Sequence, residues 1–373
     1  MDTHLSYNST EGGNVSGEER KPERVISLVI IVFMLAIIGI VGNGLVLYIF
    51  YKVPQLRVTT NVFIGNQSLL DLCASCLHIL TFVPEEPNLI GLDQKNRILA
   101  GFVCRLWFSE YLYWAVTKAS TVNLIFLTVE RYVAVVFPLT YRRNARPRVA
   151  FILGLFAWII GALIEIYFPI IHRVFEDGDC SSRAFKSTKP AIAFMELLTT
   201  LIIPLSVIIF VYTSIIITVT SAKKKLSERI GKPSNDISTA VSVDNELETV
   251  GSATVSSRVL GKTLGGSSEG RDNCKTPRKG KQLGKNKRAT TASERLMRNL
   301  LVTMFSVCVT YVICWTPNQV LYFRHHFVEK LDWSEPLNTF TILLAFSNVC
   351  TNPVIYTLRY KSFQSGLMKV FKR

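Results

Sequence analysis

The chain has 373 residues, 49% of them hydrophobic, and a formal net charge of +15. A soluble domain spreads its apolar residues among amphipathic stretches, whereas here they gather into long uninterrupted runs, which excludes an ordinary water-soluble globule. So basic a chain raises the question of nucleic-acid binding, and the placement of the charge answers it in the negative.

Residues 1–24 are polar and form a tail without a cleavable leader. Asn8-Ser9-Thr10 and Asn14-Val15-Ser16 within it are glycosylation sequons. The runs 25–51, 299–323 and 336–358 contain no charged residue. About 20 apolar residues in a helix cross the hydrocarbon core, so each run is long enough to span a bilayer. Four more runs carry only one or two charges: Asp71 in 58–84, Glu110 and Lys118 in 106–129, Glu165 in 149–171, and Glu196 in 190–222. The reading is an all-α membrane protein with seven transmembrane helices, five within 25–222 and two within 293–358. Between the two groups, 223–292 is rich in Ser, Thr, Gly and Lys and poor in aromatics, the composition of a disordered loop. The last segment, 359–373, places Phe363, Leu367, Val370 and Phe371 at helical spacing among lysines, as in an amphipathic helix lying on a membrane surface.

Charge sets the orientation. Residues 222–298 hold 17 Lys or Arg against 8 Asp or Glu, and Arg142, Arg143, Arg146 and Arg148 belong to the same side of the bundle. Connections on the other side mix signs, as in Arg173, Glu176, Asp177, Asp179 and Arg183. Positive residues stay on the cytoplasmic side. The expectation is a multi-pass plasma-membrane protein with the N-terminus extracellular, the C-terminus cytoplasmic, and basic segments facing lipid rather than nucleic acid. Of eight cysteines, only Cys104 and Cys180 fall on the outer side, so an oxidising environment predicts a disulfide between them.

Each span then carries a marker. In order they are Gly42-Asn43, Leu69-Leu70-Asp71, Glu130-Arg131-Tyr132 with Pro138-Leu139, Trp158, Pro204 with Tyr212, Cys314-Trp315-Thr316-Pro317, and Asn352-Pro353-Val354-Ile355-Tyr356 followed by Phe363. With all seven present in sequence, the chain resembles the class A, rhodopsin-like G protein-coupled receptors. The resemblance implies a receptor for an extracellular ligand that activates heterotrimeric G proteins and meets receptor kinases and arrestin. It assigns the activation switch to Glu130, Arg131, Tyr132, Tyr212, Trp315, Pro317, Asn352, Pro353 and Tyr356. Physical chemistry agrees, since an arginine at a span's inner end needs a partner, which the neighbouring Glu130 supplies, and prolines inside helices create kinks that act as hinges. Asp71, a lone carboxylate at mid-membrane depth, is functional by default. The resemblance surrounds it with Asn43, Ser120, Asn348 and Asn352 and implies an allosteric sodium ion; no other cofactor is required. Phosphorylation is expected at Ser227, Thr290, Thr291 and Ser293, beside basic residues of the inner loop.

The sequence departs from the family pattern in three places. Cys104 lies two residues further from Arg131 than usual, which predicts a bulge or an extra turn fragment there. Tyr311 replaces a phenylalanine one turn before Trp315. Arg295, Met297 and Arg298 stand where some members carry an acidic clasp for Arg131.

Two ligand types fit poorly. Amine receptors of this family use an Asp where this chain has Tyr113, and Phe346 replaces the lysine that carries retinal in visual pigments. The pocket is expected to use Tyr113, Trp114, Thr117, Lys118, Glu165, Glu196, Gln319 and Tyr322. Aromatic groups mixed with both signs of charge suit a neuropeptide or peptide hormone. Helical rise places Lys118 and Glu196 within about 4–5 Å in depth, near enough to pair, with Glu165 as the alternative partner. The competing class is an ion- or proton-coupled transporter, which would explain the buried charges but not Glu130-Arg131-Tyr132. Nothing resembles an enzyme: there is no nucleophile elbow, catalytic carboxylate pair or phosphate loop.

Overall fold

A computed structural model describes residues 22–81, 97–174, 180–182, 189–230, 279–327 and 336–371. The sequons at Asn8 and Asn14 and most of the inner loop, 231–278, lie outside the described residues. Among the described residues seven helices are long and apolar enough to cross a membrane: Ser27–Lys52, Thr59–Leu80, Arg97–Val136, Pro147–Ile171, Pro190–Ala222, Met297–Phe327 and Pro336–Arg359. They are called spans one to seven below. Span three is the hub, packed against spans two, four and five, while span one touches two and seven, and six touches seven. Large apolar side chains such as Ile30, Met34, Val41, Phe151, Ile159, Phe210, Ile216 and Ile313 point outward, exposed in the isolated chain. A water-soluble surface does not carry so continuous an apolar belt, but a lipid-facing one requires it.

Span three carries the predicted irregularity. Its helix opens as Arg97–Val103, widens into a π-helical turn over Cys104–Phe108, breaks at Ser109 and Glu110, and resumes as Tyr111–Val136. Glu110 has φ of 57°, the left-handed conformation, which costs a non-glycine residue roughly 1–2 kcal/mol. Its carboxylate accepts a hydrogen bond from the Trp114 indole at 2.9 Å, which helps to offset that cost. The two extra residues are absorbed in this break, so Cys104 still reaches Cys180, with Cα atoms 5.6 Å apart. Cys180 opens strand β2 (Cys180–Ser182), which pairs antiparallel with β1 (His172–Val174), so the disulfide anchors a small hairpin over the outer end of the bundle.

Spans three and four approach closely at Gly161, where an added Cβ would lie 2.5 Å from the Ala119 backbone nitrogen. The helix Pro147–Ile164 ends one turn later, and Glu165 follows at its C-cap. A second π-helical segment, Leu198–Ile202, precedes Pro204 in span five; such bulges accommodate a missing backbone donor and recur near functional sites. Pro317 and Pro353 lie inside their helices.

At the end of the bundle that leads into residues 231–278, two helices continue past their apolar spans. Span five continues as Ile203–Ile230, and span six belongs to a helix starting at Lys279. Both ends of the stretch read as a disordered loop, 223–292, are therefore helical. Extending an existing helix needs no new nucleus, and the Lys, Arg and Leu residues there favour it. The closing helix Lys361–Phe371 forms where expected, and one of its faces packs against protein. Phe363 is fully buried and meets Phe50 edge-on, and an added Cβ at Gly366 would lie 2.9 Å from Leu56. Met368 and Phe371 remain exposed.

Candidate functional site

Three polar layers are stacked along span three. The innermost centres on Arg131, 1% exposed. Its Nε donates to Glu130 at 2.5 Å, and its Nη2 contacts Glu130, Thr60 and the Tyr141 hydroxyl. Tyr141, in the turn of helix Pro138–Asn144, also donates to Glu130. Burial, with the Glu130 charge beside it, pushes the Tyr141 phenol up to about 12, so it stays a donor. Arg131 Nη1 has no hydrogen-bond partner among the described residues. Tyr212 lies by Cys308 at 3.9 Å, and the Tyr356 hydroxyl is buried without a partner among the described residues, so neither tyrosine engages Arg131 in this arrangement. Tyr132 packs its ring against Phe137 and Phe210. The sequence reading found the Glu130–Arg131 clasp but missed Thr60 and Tyr141, whose roles arise only from helix packing.

The middle layer surrounds Asp71, 1% exposed. Oδ1 accepts from Gln67 at 3.1 Å and Ser120 at 3.0 Å, and Oδ2 accepts from Asn352 at 2.7 Å. Asn348 lines the same small cavity. Asn43 does not join them: its amide donates to the Gly39 and Val349 carbonyls and ties span one to span seven. Gln67, absent from the sequence reading, extends the layer. Its Oε1 accepts from Asn123, Asn123 accepts from Asn66, and Asn66 accepts from the Trp158 indole. A buried carboxylate, the Ser120 hydroxyl and a cavity beside them form an oxygen-rich setting of the kind a small hard cation takes, so these residues fit a sodium ion. The Gln67 and Asn352 amides would have to turn away from Asp71 to admit it.

The outermost layer is a narrow cavity lined by Trp114, Thr117, Lys118, Thr121, Tyr167, Phe168, Glu196, Thr200, Trp315, Gln319 and Tyr322. Lys118 is 3% exposed, and its Nζ lies 2.9 Å from Glu196 Oε2 and 3.1 Å from Glu165 Oε1. Both partners read from the sequence are therefore engaged at once. The ammonium also donates to Thr199 at 3.1 Å and to Thr200. Tyr167 donates to Glu196 Oε1 at 3.0 Å. Glu165 lies behind the lysine, fully buried, and does not line the cavity. Tyr113 also stands apart, packed with His78, Trp114 and Phe346 above the Asp71 cavity. Tyr167, Phe168 and the two threonines were missed; the one available signal was that Thr200 falls a helical turn after Glu196. The Tyr311 hydroxyl donates to the Thr200 carbonyl at 2.6 Å and lies 3.1 Å from Thr121, joining spans three, five and six beside the Trp315 ring.

Seven spans built around a buried arginine clasp, a mid-membrane carboxylate and an outer polar cavity define a helical membrane receptor. Residues 42–356 match the sequence model of the family described as 7 transmembrane receptor (rhodopsin family), and the chain belongs to that family. It is thus a class A G protein-coupled receptor and not an enzyme, and nothing favours the transporter alternative. An octopamine receptor beta-2R of Chilo suppressalis is 24% identical over 370 residues, 98% of this chain and 83% of that one. G-protein coupled receptor 54 of Oreochromis niloticus is 21% identical over 348 residues, 91% of this chain and 76% of that one. The crystal structure of squid rhodopsin shares the fold, with a TM-score of 0.67 at 18% identity, covering 98% of this chain and 91% of that one.

Proposed function

We propose that this receptor binds an extracellular peptide in the outer cavity and, when occupied, releases Arg131 from Glu130 to engage a heterotrimeric G protein. The observation that carries the peptide reading is the mixed-charge floor of the cavity, with Lys118 between two glutamates under a rim of aromatic rings. Relatives are named both for amines, octopamine and 5-hydroxytryptamine, and for peptides, galanin and RYamide. Tyr113, in place of the amine-receptor aspartate, favours the second group. In this reading the N-terminus, with Asn8 and Asn14 glycosylated, faces outward at the plasma membrane. The basic inner segments face anionic lipid, receptor kinases and arrestin. Sodium at Asp71 stabilises the resting state. The test is ligand-driven nucleotide exchange on G proteins in membranes from cells expressing the full chain, screened against peptide and amine libraries. A peptide that drives exchange supports the reading, and activation by amines alone overturns its ligand class.

A further inference from the structure

At the floor of the outer cavity two carboxylates, one of them behind the lining, share one ammonium among the described residues. Lys118 offers three hydrogens, and they go to Glu196, Thr199 and Thr200. Glu165 Oε1 lies within ion-pair distance of the same ammonium, yet neither Glu165 oxygen accepts an aligned hydrogen bond from the described residues. Among those residues, Lys118 is the one cation within 4 Å of either carboxylate. Among the described residues two carboxylates thus face one ammonium, and unpaired charge inside a bundle is strongly disfavoured. The lysine has no hydrogen left for a ligand. The cavity wall beside Glu196 is rich in acceptors and rings: Gln319 Oε1 is buried without a partner among the described residues, and Trp114, Tyr167, Phe168 and Tyr322 offer aromatic surface. Carboxylate, amide oxygen and ring faces together recognise an organic cation.

We infer that the cavity takes an ammonium or guanidinium group of the ligand against Glu196, with Gln319 as a second acceptor and Lys118 as a positioning residue that holds the two glutamates without touching the ligand. This rests on the reading of the cavity as the ligand pocket. It moves Lys118 out of the set of ligand contacts that the sequence suggested. The cation is carried either by a small amine or by the amino-terminus or a basic side chain of a peptide. The competing way to balance the charge is a proton held by the two carboxyls, which would make the floor neutral and indifferent to ligand charge.

The first test uses the purified full-length receptor in detergent and two probes of similar size, phenethylammonium and the neutral 3-phenylpropanol, with thermal unfolding as the readout. The expected result is a saturable rise in unfolding temperature with the ammonium that the alcohol does not reproduce. Glu196→Gln should weaken the ammonium effect by about tenfold or more in concentration, the usual weight of a hydrogen bond to a charged group. Equal shifts with both probes, no shift with the ammonium, or an unchanged response in Glu196→Gln would overturn the inference. Should Glu196→Gln fail to fold, the two-probe comparison on the unmutated receptor decides, with Gln319→Leu expected to weaken the ammonium response while leaving every charge in place. The second test is nucleotide exchange with an amine panel including octopamine and serotonin, and with a peptide library in free and amino-acetylated forms and with arginine replaced by citrulline. A peptide agonist that loses about tenfold or more in potency when one cation is neutralised supports both the inference and the peptide reading. An amine agonist supports the inference and overturns the peptide reading. A peptide whose cation-free form keeps full potency overturns the inference and leaves the peptide reading standing.

Discussion

Reversing the charges of the outer layer tests whether Lys118 and its two glutamates act as a unit. Lys118 Nζ lies 2.9 Å from Glu196 and 3.1 Å from Glu165, and the Lys118 and Glu165 side chains are 4% and 1% exposed. Removing one member of a buried ion pair typically costs about 3–5 kcal/mol, because the other charge is left unpaired. Lys118→Glu does worse, since it gathers three carboxylates where two surrounded a cation. Glu196→Lys leaves two ammonium groups with only Glu165 between them. Both single variants should therefore lose most surface expression. The double swap restores the pair between spans three and five, but the carboxylate it introduces on span three faces Glu165, so recovery should be partial. Adding Glu165→Gln removes that repulsion, and the triple variant should be expressed better than the double. The assay is cell-surface antibody labelling together with unfolding temperature of the solubilised protein. If neither the double nor the triple variant exceeds the worse single, the three groups do not form an energetic unit, and the argument from burial and distance fails.

Four other outcomes follow from the three layers and the loop. Arg131→Ala should abolish agonist-driven nucleotide exchange at equal surface expression; retained exchange would remove Arg131 from the coupling role. Sodium should lower agonist affinity in the unmutated receptor relative to a large organic cation, and Asp71→Asn should erase that difference; agonist titrations in the two salts decide. Tyr311→Phe deletes a hydroxyl that donates to the Thr200 carbonyl at 2.6 Å. Losing about 1 kcal/mol that holds spans five and six together should raise basal exchange several-fold, on the order of fivefold, and basal activity equal to the unmutated receptor would show that the bond is present in both states. Replacing Thr290, Thr291 and Ser293 together by Ala should slow agonist-driven arrestin recruitment, measured by proximity luminescence, and an unchanged rate would place the phosphorylation sites elsewhere.

The bundle was legible because a bilayer imposes one rule on every span. Runs such as 25–51 and 336–358 can satisfy their backbone only as helices, so composition alone located them. The Cys104–Cys180 disulfide was legible from compartment, and the irregular start of span three from the two-residue excess before Arg131. The pairing of Lys118 followed from helical rise between positions of matching depth. Azimuth was harder to read. Depth could not show that Glu165 and Glu196 both reach the lysine, because that depends on Gly161 letting span four ride against the Ala119 backbone. It also could not show that Asn43 turns to the Val349 carbonyl while Gln67 takes its place at Asp71. An amide side chain has several partners within reach, and packing chooses among them. Tyr141 was invisible for a related reason: a turn after span three folds back, and nothing in its local sequence says that its hydroxyl returns to Glu130.

Span three offers the three layers a route of communication. At 3.6 residues per turn, successive residues point about 100° apart. Lys118 accordingly faces span five, Ser120 faces Asp71 on span two, and Thr121 faces Tyr311 on span six, so one turn of helix distributes polar contacts to three neighbours. A group arriving at Glu196 acts on the Lys118 contact, and the ammonium also holds Thr200 of the π-helical segment in span five. The carbonyl of that same threonine accepts the Tyr311 hydroxyl. A shift of Thr200 therefore bears on span six just inward of Pro317, where the missing backbone hydrogen bond makes the helix easiest to bend. Bending there moves the inner half of span six, which carries Cys308, the neighbour of Tyr212. Packed helices respond by discrete displacements rather than by gradual strain, so by this route a hydrogen bond lost at the outer layer would change the surroundings of Tyr212 and Arg131. On this reading the coupling runs through the Tyr311 hydroxyl, whose contacts with Thr200 and Thr121 the substitution Tyr311→Phe removes without altering a charge.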